Sequence, residues 1–304
     1  MKANAIECCF DAEEFFLLQR FTVCLRLSFI MKRYSFVNGG MMLYLVDQQR
    51  TGAVKEEIRR IDPAYPVFVD AILDGVIQGD LYVDHRDHPC VYFAGTTTGI
   101  YYVAGKTEAA LSLCSTFIVD VYKKQKRENR RFTLFSANPA SDEMMKKCFG
   151  SQLNEMQRHA YSYGLTSPDL IVPDQDEMIK RTNEQVIAAS KVFPSSYYEA
   201  YWGGVDHFLS NGVGVAILNG EDVVSECISI FLSEKRVEID IWTDEACRGK
   251  GLALLAAQQM ISICVEKGKT PHWDCDVHHA ASAKLAEKLG FHWTKTYRLF
   301  YASR

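Results

Sequence analysis

No apolar run in the sequence approaches the roughly 18 residues that cross a bilayer as a helix, so no membrane partner is expected. There is no Cys-x-x-Cys pair, and the ten cysteines keep no regular spacing with histidine. That excludes a zinc framework and reads as reduced, mostly buried thiols in a cytoplasmic protein. A basic excess is also missing. The formal net charge is −4, which argues against a dedicated nucleic-acid binder. What is present is ordinary for a globular chain, 48% hydrophobic and 24% charged over 304 residues, a length suited to about two domains.

Residues 1–40 read as an N-terminal extension. Asp11, Glu13 and Glu14 precede its apolar stretch, where a signal peptide would be basic, and Arg20 and Arg26 interrupt that stretch. Two readings stand: an amphipathic helix packed on the body, or upstream sequence translated from an early start, with Met31, Met41 and Met42 as other starts. The mass of the natively expressed protein decides between them.

From residue 41 to about 150 the pattern predicts a first α/β domain. Helices are expected over Ala53–Ile61, Val67–Ile77 and Thr107–Lys124, and strands over Leu81–Val83, Cys90–Ala94, Ile100–Ala104 and Phe132–Phe135. Ser141 is expected to cap a helix over Glu143–Cys148. From 151 to 304 a second domain is expected. It begins with a strand at Asp169–Pro173, a helix capped by Asp174 or Asp176 and running through Val186, and a helix capped by Ser195 or Ser196 and running to about Phe208. A hairpin follows, Gly214–Leu218 and Val223–Phe231, turning at Asn219-Gly220.

The most informative stretch comes next. Val237-Glu238-Ile239-Asp240-Ile241-Trp242-Thr243 alternates as a strand. Arg248-Gly249-Lys250-Gly251 is a tight loop, and an Ala/Leu-rich helix runs to Glu266 with a polar line at Gln258, Ser262 and Glu266. A glycine loop opening a helix aims several backbone N–H groups at one point, at the positive end of the helix dipole, and so suits a pyrophosphate. The loop alone has few fixed positions; the strand and helix around it give it weight. A strand from His272 to Val277, a helix from Ala280 to Leu289 and an aromatic strand to Ala302 complete the order.

Arg248-Gly-Lys-Gly-Leu-Ala253 resembles the acetyl-CoA pyrophosphate signature of the Gcn5-related N-acetyltransferases, and Ser282-Ala-Lys-Leu-Ala-Glu-Lys-Leu-Gly-Phe291 looks like that family's second motif. The match covers about residues 155–304. Trp273-Asp-Cys275 and the long N-terminal half resemble the branch that includes the zwittermicin A resistance acetyltransferase. The resemblance implies an acyl-CoA N-acyltransferase fold, a mixed, mostly antiparallel sheet flanked by helices, whose N-terminal half reads as a degenerate copy without a phosphate loop. It implies acetyl-CoA as co-substrate, with no metal. Cofactor contacts would come from Ile241, Trp242 and Thr243 beside the pantetheine arm, from Cys247, Arg248, Gly249, Lys250, Gly251, Leu252 and Ala253 around the pyrophosphate, and from His279 and Ser282. The reaction would be transfer of the acetyl group of acetyl-CoA to the primary amine of a small molecule by direct attack, which needs a base and donors for the tetrahedral oxyanion.

For the base, Glu238 and Asp240 share one strand face, and family members with a glutamate base carry it near the start of this strand. Glu226, on the preceding strand, is a third catalytic candidate. The plain alternative for Glu238 and Asp240 is a solvated strand face, and for Glu226 a residue that positions substrate or simply faces water. Two departures from the family pattern leave the general acid open: Ala286 stands where a tyrosine is common, and His279 where an asparagine is common. Ser282, His279, Tyr297, Tyr301 or a water remain, and a thiolate leaving group with a pKa of roughly 8.5 needs no dedicated acid. The rival functions are a non-catalytic acyl-CoA sensor or scaffold, and a peptide or protein N-acetyltransferase.

Four other stretches and one cysteine read as structural. His278-His279 has no third ligand at a useful spacing. Asp84–Pro89 reads as a polar turn. Gly105-Lys106-Thr107 lacks the glycine a nucleotide loop needs five residues earlier, where Ile100 stands. Lys123–Arg131, with six basic residues, reads as the solvated end of a helix, and Cys247 as a residue packed under the glycine loop.

Overall fold

The computed structural model describes residues 43–46, 50–164 and 178–303. The N-terminal extension, the strand expected at Asp169–Pro173 and the caps expected at Asp174 or Asp176 lie outside the described residues.

The first half runs β1 (Tyr44–Leu45), α1 (Thr51–Ile61), α2 (Val67–Leu73), β2 (Gly79–Val83), β3 (Val91–Thr96), β4 (Ile100–Gly105), α3 (Glu108–Arg127), β5 (Thr133–Ser136), α4 (Pro139–Phe149) and β6 (Asn154–Tyr163). The second runs β7 (Ile179–Arg181), α5 (Glu184–Ala189), α6 (Ser195–Trp202), α7 (Val205–Asn211), β8 (Gly214–Asn219), β9 (Asp222–Leu232), β10 (Arg236–Thr243), α8 (Leu252–Glu266), β11 (Thr270–Asp276), α9 (Ala280–Lys288) and β12 (Phe291–Tyr301). From β2 and from β8 onward the same order recurs: three strands, helix, strand, helix, strand. In both halves the three strands form an antiparallel meander, and the strand after the first crossover helix pairs parallel, β4 with β5 and β10 with β11.

The described strands form one sheet in the order β1-β2-β3-β4-β5-β12-β6-β11-β10-β9-β8-β7. The sheet is mixed and mostly antiparallel, as expected. The last strand of each half has changed places. β12 pairs with β5 of the first half, β6 pairs with β11 of the second, and the two pair with each other over ten register positions.

Local chemistry sets the boundaries. The Thr107 side chain accepts from Ala110 N–H and starts α3, and Lys124, Lys126 and Arg127 in the last turn complement the helix dipole. Asp84 accepts from the N–H groups of Cys90 and Val91 at 2.7 and 2.9 Å, which makes the histidine-rich stretch a hydrogen-bonded turn. Lys106 spends its ammonium on the Pro89 carbonyl at 2.7 Å.

Three expectations need correction. Asn138, not Ser141, caps α4: its side chain accepts from Ser141 N–H at 3.1 Å, with Pro139 at the first helical position. No single helix reaches Val186; β7 occupies Ile179–Arg181, and Asn183 caps a short α5. The helix expected through Phe208 breaks at Gly203-Gly204 into α6 and α7. β6 was not expected at all.

Helices cover both faces. α8 lies on one face of the second half, over Cys227, Val237 and Ile239. In the first half α3 and α4 cover one face and α1 and α2 the other. α2 reaches past its own half. Phe68 packs on Phe231 of β9 with ring centroids 5.5 Å apart. Arg236, at the start of β10, donates to Asp70 at 2.7 Å and to the Tyr65 carbonyl at 2.8 Å.

Candidate active site

β10 and β11 pair only from Arg236↔Thr270 to Ile239↔Trp273. Beyond that point Asp240–Thr243 and Asp274–Asp276 are no longer partners. The divergence coincides with a register shift on the other side of β10, between Glu238 and Ile239 against β9. The extra residue is Ile230 on β9, opposite the step from Glu238 to Ile239, and the stronger twist that a bulge imposes falls where β10 parts from β11. The N–H and C=O groups of β10 that face the opened gap are left without ladder partners. Asp240 takes one of them, because the Ile241 N–H donates to its carboxylate.

The chain then passes through a short 3-10 turn, Glu245–Cys247, into the glycine loop and α8. Gly249 and Gly251 have φ of +76° and +81°, and Gly251 is the N-cap of α8 without a side-chain cap. A side chain at either position would be strained. A Cβ there would also project into open space, with nothing within 4 Å. The first-turn amides of α8 are therefore uncapped above a clear cradle, flanked by exposed Arg248 and Lys250. The chemistry of this donor set fits a pyrophosphate. Cys247 is half-buried against the core beside the loop, as expected of a packing residue. The equivalent crossover of the first half offers no such cradle: only Lys106 and Thr107 link β4 to α3, and the Thr107 side chain occupies the helix start.

On the face of β10 opposite α8 lies a cavity of about 280 Å³. Glu238 and Asp240 from β10, His272 and Asp274 from β11, and Arg158 from β6 line it. Tyr65 and Phe68 from around α2, Arg131 and Phe135 from around β5, Tyr201 from α6 and Tyr297 from β12 complete the wall. Both halves contribute. The parallel register sets Glu238 beside His272.

Burial raises the pKa of Glu238, and the Asp274 carboxylate raises it further, against Arg236, Arg158 and the Val67 N–H at the start of α2. Asp240 is also raised by burial, against a hydrogen bond from Tyr197 Oη at 2.7 Å. Asp274 is raised by burial against its ion pair with Arg158 and a hydrogen bond from Tyr297. His272 is pushed down to about 3 by burial and then by Arg236, which keeps its imidazole neutral.

Glu238 and Asp240 thus meet in the cavity. Glu226 does not line it. It is fully buried on β9, with Ser190 Oγ donating to Oε2 at 2.5 Å and Oε1 without a partner among the described residues. Burial pushes this carboxyl up to about 7. Of the acid candidates, Tyr297 reaches the cavity, while Tyr301 lines a separate surface depression. His279 is exposed at the start of α9, and Ser282 accepts from Trp273 Nε1 at 3.0 Å. Ala286 is fully buried in the core. Sequence reasoning missed His272, Asp274, Arg158, Tyr197 and Arg131. The first two carried a signal, since they alternate on β11 as Glu238 and Asp240 do on β10. The others come from distant segments. Among the described residues no group of three or more His, Cys, Asp or Glu could hold a metal ion, and no helix is long and apolar enough to cross a membrane.

A strand splayed from its parallel neighbour, with a glycine loop and an uncapped helix beside the gap, defines an acyl-CoA-type transferase. The chain belongs to the GNAT acetyltransferase family, whose model matches residues 61–300. It is 42% identical over 243 residues to the uncharacterized N-acetyltransferase YdfB of Bacillus subtilis (strain 168), a match covering 79% of this chain and 92% of that one. A solved GCN5-related N-acetyltransferase-like protein from Streptococcus suis 89/1591 is 26% identical, with a TM-score of 0.59 over 82% of this chain and 99% of that one. A tandem GNAT protein from the clavulanic acid biosynthesis pathway shares the fold at 9% identity, with a TM-score of 0.55 over 86% of this chain and 97% of that one.

Proposed function

We propose that this acetyltransferase moves the acetyl group of acetyl-CoA to the primary amine of a small molecule by direct attack, with Glu238 as the base. The observation that carries the reading is the splay itself: the gap between β10 and β11 opens beside a cavity where two carboxylates of raised pKa stand on one strand face. At about 280 Å³ the cavity is at the small end of ligand pockets, roughly 300–1,000 Å³. The first half walls it with α2, which supports a small acceptor. We assign residues 151–304 as the cofactor-binding domain, with β6 counted there because it pairs with β11 and β12, and 41–150 as the part that walls the acceptor site.

Acetyl-CoA supplies the thioester. The amides of Cys247–Ala253 hold its pyrophosphate, and Ile241, Trp242 and Thr243 face its pantetheine arm. Glu238 or Asp240 attracts the ammonium form of the acceptor. An ionised Glu238 takes the proton that must leave before the amine can attack. A carboxylate whose pKa lies above its ordinary range is a stronger base near neutral pH. Tyr297 stands in the same wall and can return a proton to the departing thiolate. The branch resemblance carried by Trp273-Asp-Cys275 fits an amine-bearing natural product as acceptor.

Steady-state thiol release with a panel of small amines tests the reading, alongside a calorimetric titration with acetyl-CoA. Saturable binding at one site per chain with turnover of at least one amine is expected. Binding without turnover of any amine would sink it.

A further inference from the structure

Arg131 is left over by this chemistry. It lies just past α3, in the basic stretch expected to be a solvated helix end, yet it lines the cavity. Its backbone is pinned by a close approach: a Cβ on Gly99 would meet the Arg131 carbonyl oxygen at 1.9 Å. The guanidinium lies over the Tyr201 ring, 5.1 Å from its centroid, and Nη2 donates to Tyr201 Oη at 2.7 Å. No carboxylate among the described residues forms an ion pair with it. The other arginine of the lining is occupied, since Arg158 pairs with Asp274. His272 is neutral.

The two signs of charge are also kept apart. Tyr197 donates to Asp240 and Tyr201 accepts from Arg131, and the two rings stand between them with centroids 4.6 Å apart. One end of this aromatic wall is anionic and the other cationic. A half-buried guanidinium held in a fixed orientation suits a planar carboxylate, which it can grip with two parallel hydrogen bonds.

We propose that Arg131, delivered by the first half of the chain, binds a carboxylate on the acceptor, so that the substrate is an amino acid or a close derivative held as a zwitterion. This rests on the acetyltransferase reading above. It makes Arg131 a specificity-determining residue with no part in proton transfer.

The test uses matched pairs of primary amines, each an aromatic or aliphatic amino acid and the amine it would yield on decarboxylation, followed by thiol release from acetyl-CoA. The full chain is expected to prefer the carboxylate-bearing member at least 10-fold in kcat/KM, mostly through KM. In Arg131→Gln that preference should collapse toward one, since losing a charged hydrogen-bonding partner weakens binding by roughly 10- to 100-fold. Arg131→Lys should retain part of it. Circular dichroism and thermal melting show whether each variant is folded. An equal preference in the full chain and in Arg131→Gln, with some amine turned over, overturns the proposal and leaves the acetyltransferase reading standing. So does weakened acetyl-CoA binding in Arg131→Gln, which would assign the guanidinium to the co-substrate. No turnover of any amine overturns both.

Discussion

Replacing Glu226 by glutamine should stabilise the protein progressively as pH rises above about 4.5, with the full effect above pH 7. The carboxyl is fully buried on β9. It accepts one hydrogen bond, from Ser190, and its second oxygen has no partner among the described residues. The Tyr198 hydroxyl, also buried and unpartnered, is close enough to feel the carboxylate's charge. Among the described residues no cation offsets the burial, and the pKa moves from its ordinary 4.5 to about 7. A folded-state pKa raised in this way favours folding with the proton on. Its contribution is fully present below about pH 4.5 and is lost as pH rises through about 7. At 1.36 kcal/mol per unit, the cost of ionising the folded protein approaches about 3 kcal/mol by pH 8. Glutamine has nearly the same shape, keeps an acceptor for Ser190 and never ionises. Urea unfolding of the two proteins at pH 4.5, 6 and 8 should give curves that coincide at the lowest pH. They should separate by about 3 kcal/mol at the highest, with equal m-values. A variant no more stable than the parent at pH 8 would refute the reasoning, because the carboxylate would then have a compensating partner.

Gly251→Glu should abolish acetyl-CoA binding in calorimetry, since it forces a side chain into a φ of +81° and places a negative charge at the start of α8; unchanged affinity would remove the loop from the cofactor site. Glu238→Gln should lower kcat/KM by roughly 10²- to 10⁴-fold with little change in acetyl-CoA affinity. Because the Glu238 pKa is raised, the parent should lose activity as pH falls through neutrality, and the variant should lack that limb; equal turnover from pH 6 to 9 would exclude Glu238 as the base. Asp62→Ala should cost about 3–5 kcal/mol in urea unfolding, because it strands Lys295, whose ammonium lies 2.6 and 2.7 Å from the two Asp62 oxygens, and also frees the Tyr102 hydroxyl. A loss under 1 kcal/mol would mean that Lys295 reaches water.

The second half was readable because its signals are local. β10 alternates apolar and acidic residues, since one face meets α8 and the other meets a cavity. α8 follows a loop whose two glycines both take positive φ. β6 was illegible for a related reason. Arg158 and Ala160 face the cavity, and with Gln157, His159 and Ser162 also polar the strand shows too little apolar alternation to be recognised, although it sits at the centre of the sheet. The candidate site was readable only in part. Glu238 and Asp240 announce themselves by spacing, but Arg131, Arg158 and Tyr197 reach them through pairings that join segments far apart in the chain. Nothing near Arg131 in the sequence separates it from the basic helix end beside it.

The exchanged final strands bear on how the molecule assembles. β5 cannot be covered on its outer edge until β12, the last strand of the twelve, is available, because Phe135 pairs with Leu299. β6, made before the whole second half, has both of its neighbours in that half. Neither half can therefore close its own sheet, and the middle of the structure depends on contacts between segments that are remote in the chain. Such closures are entropically costly before they are rewarded. The central pairings should therefore form late and slowly. The same exchange protects the finished protein, since opening either half exposes the edge of the other, and the acceptor cavity, built across that seam, exists only when both have closed.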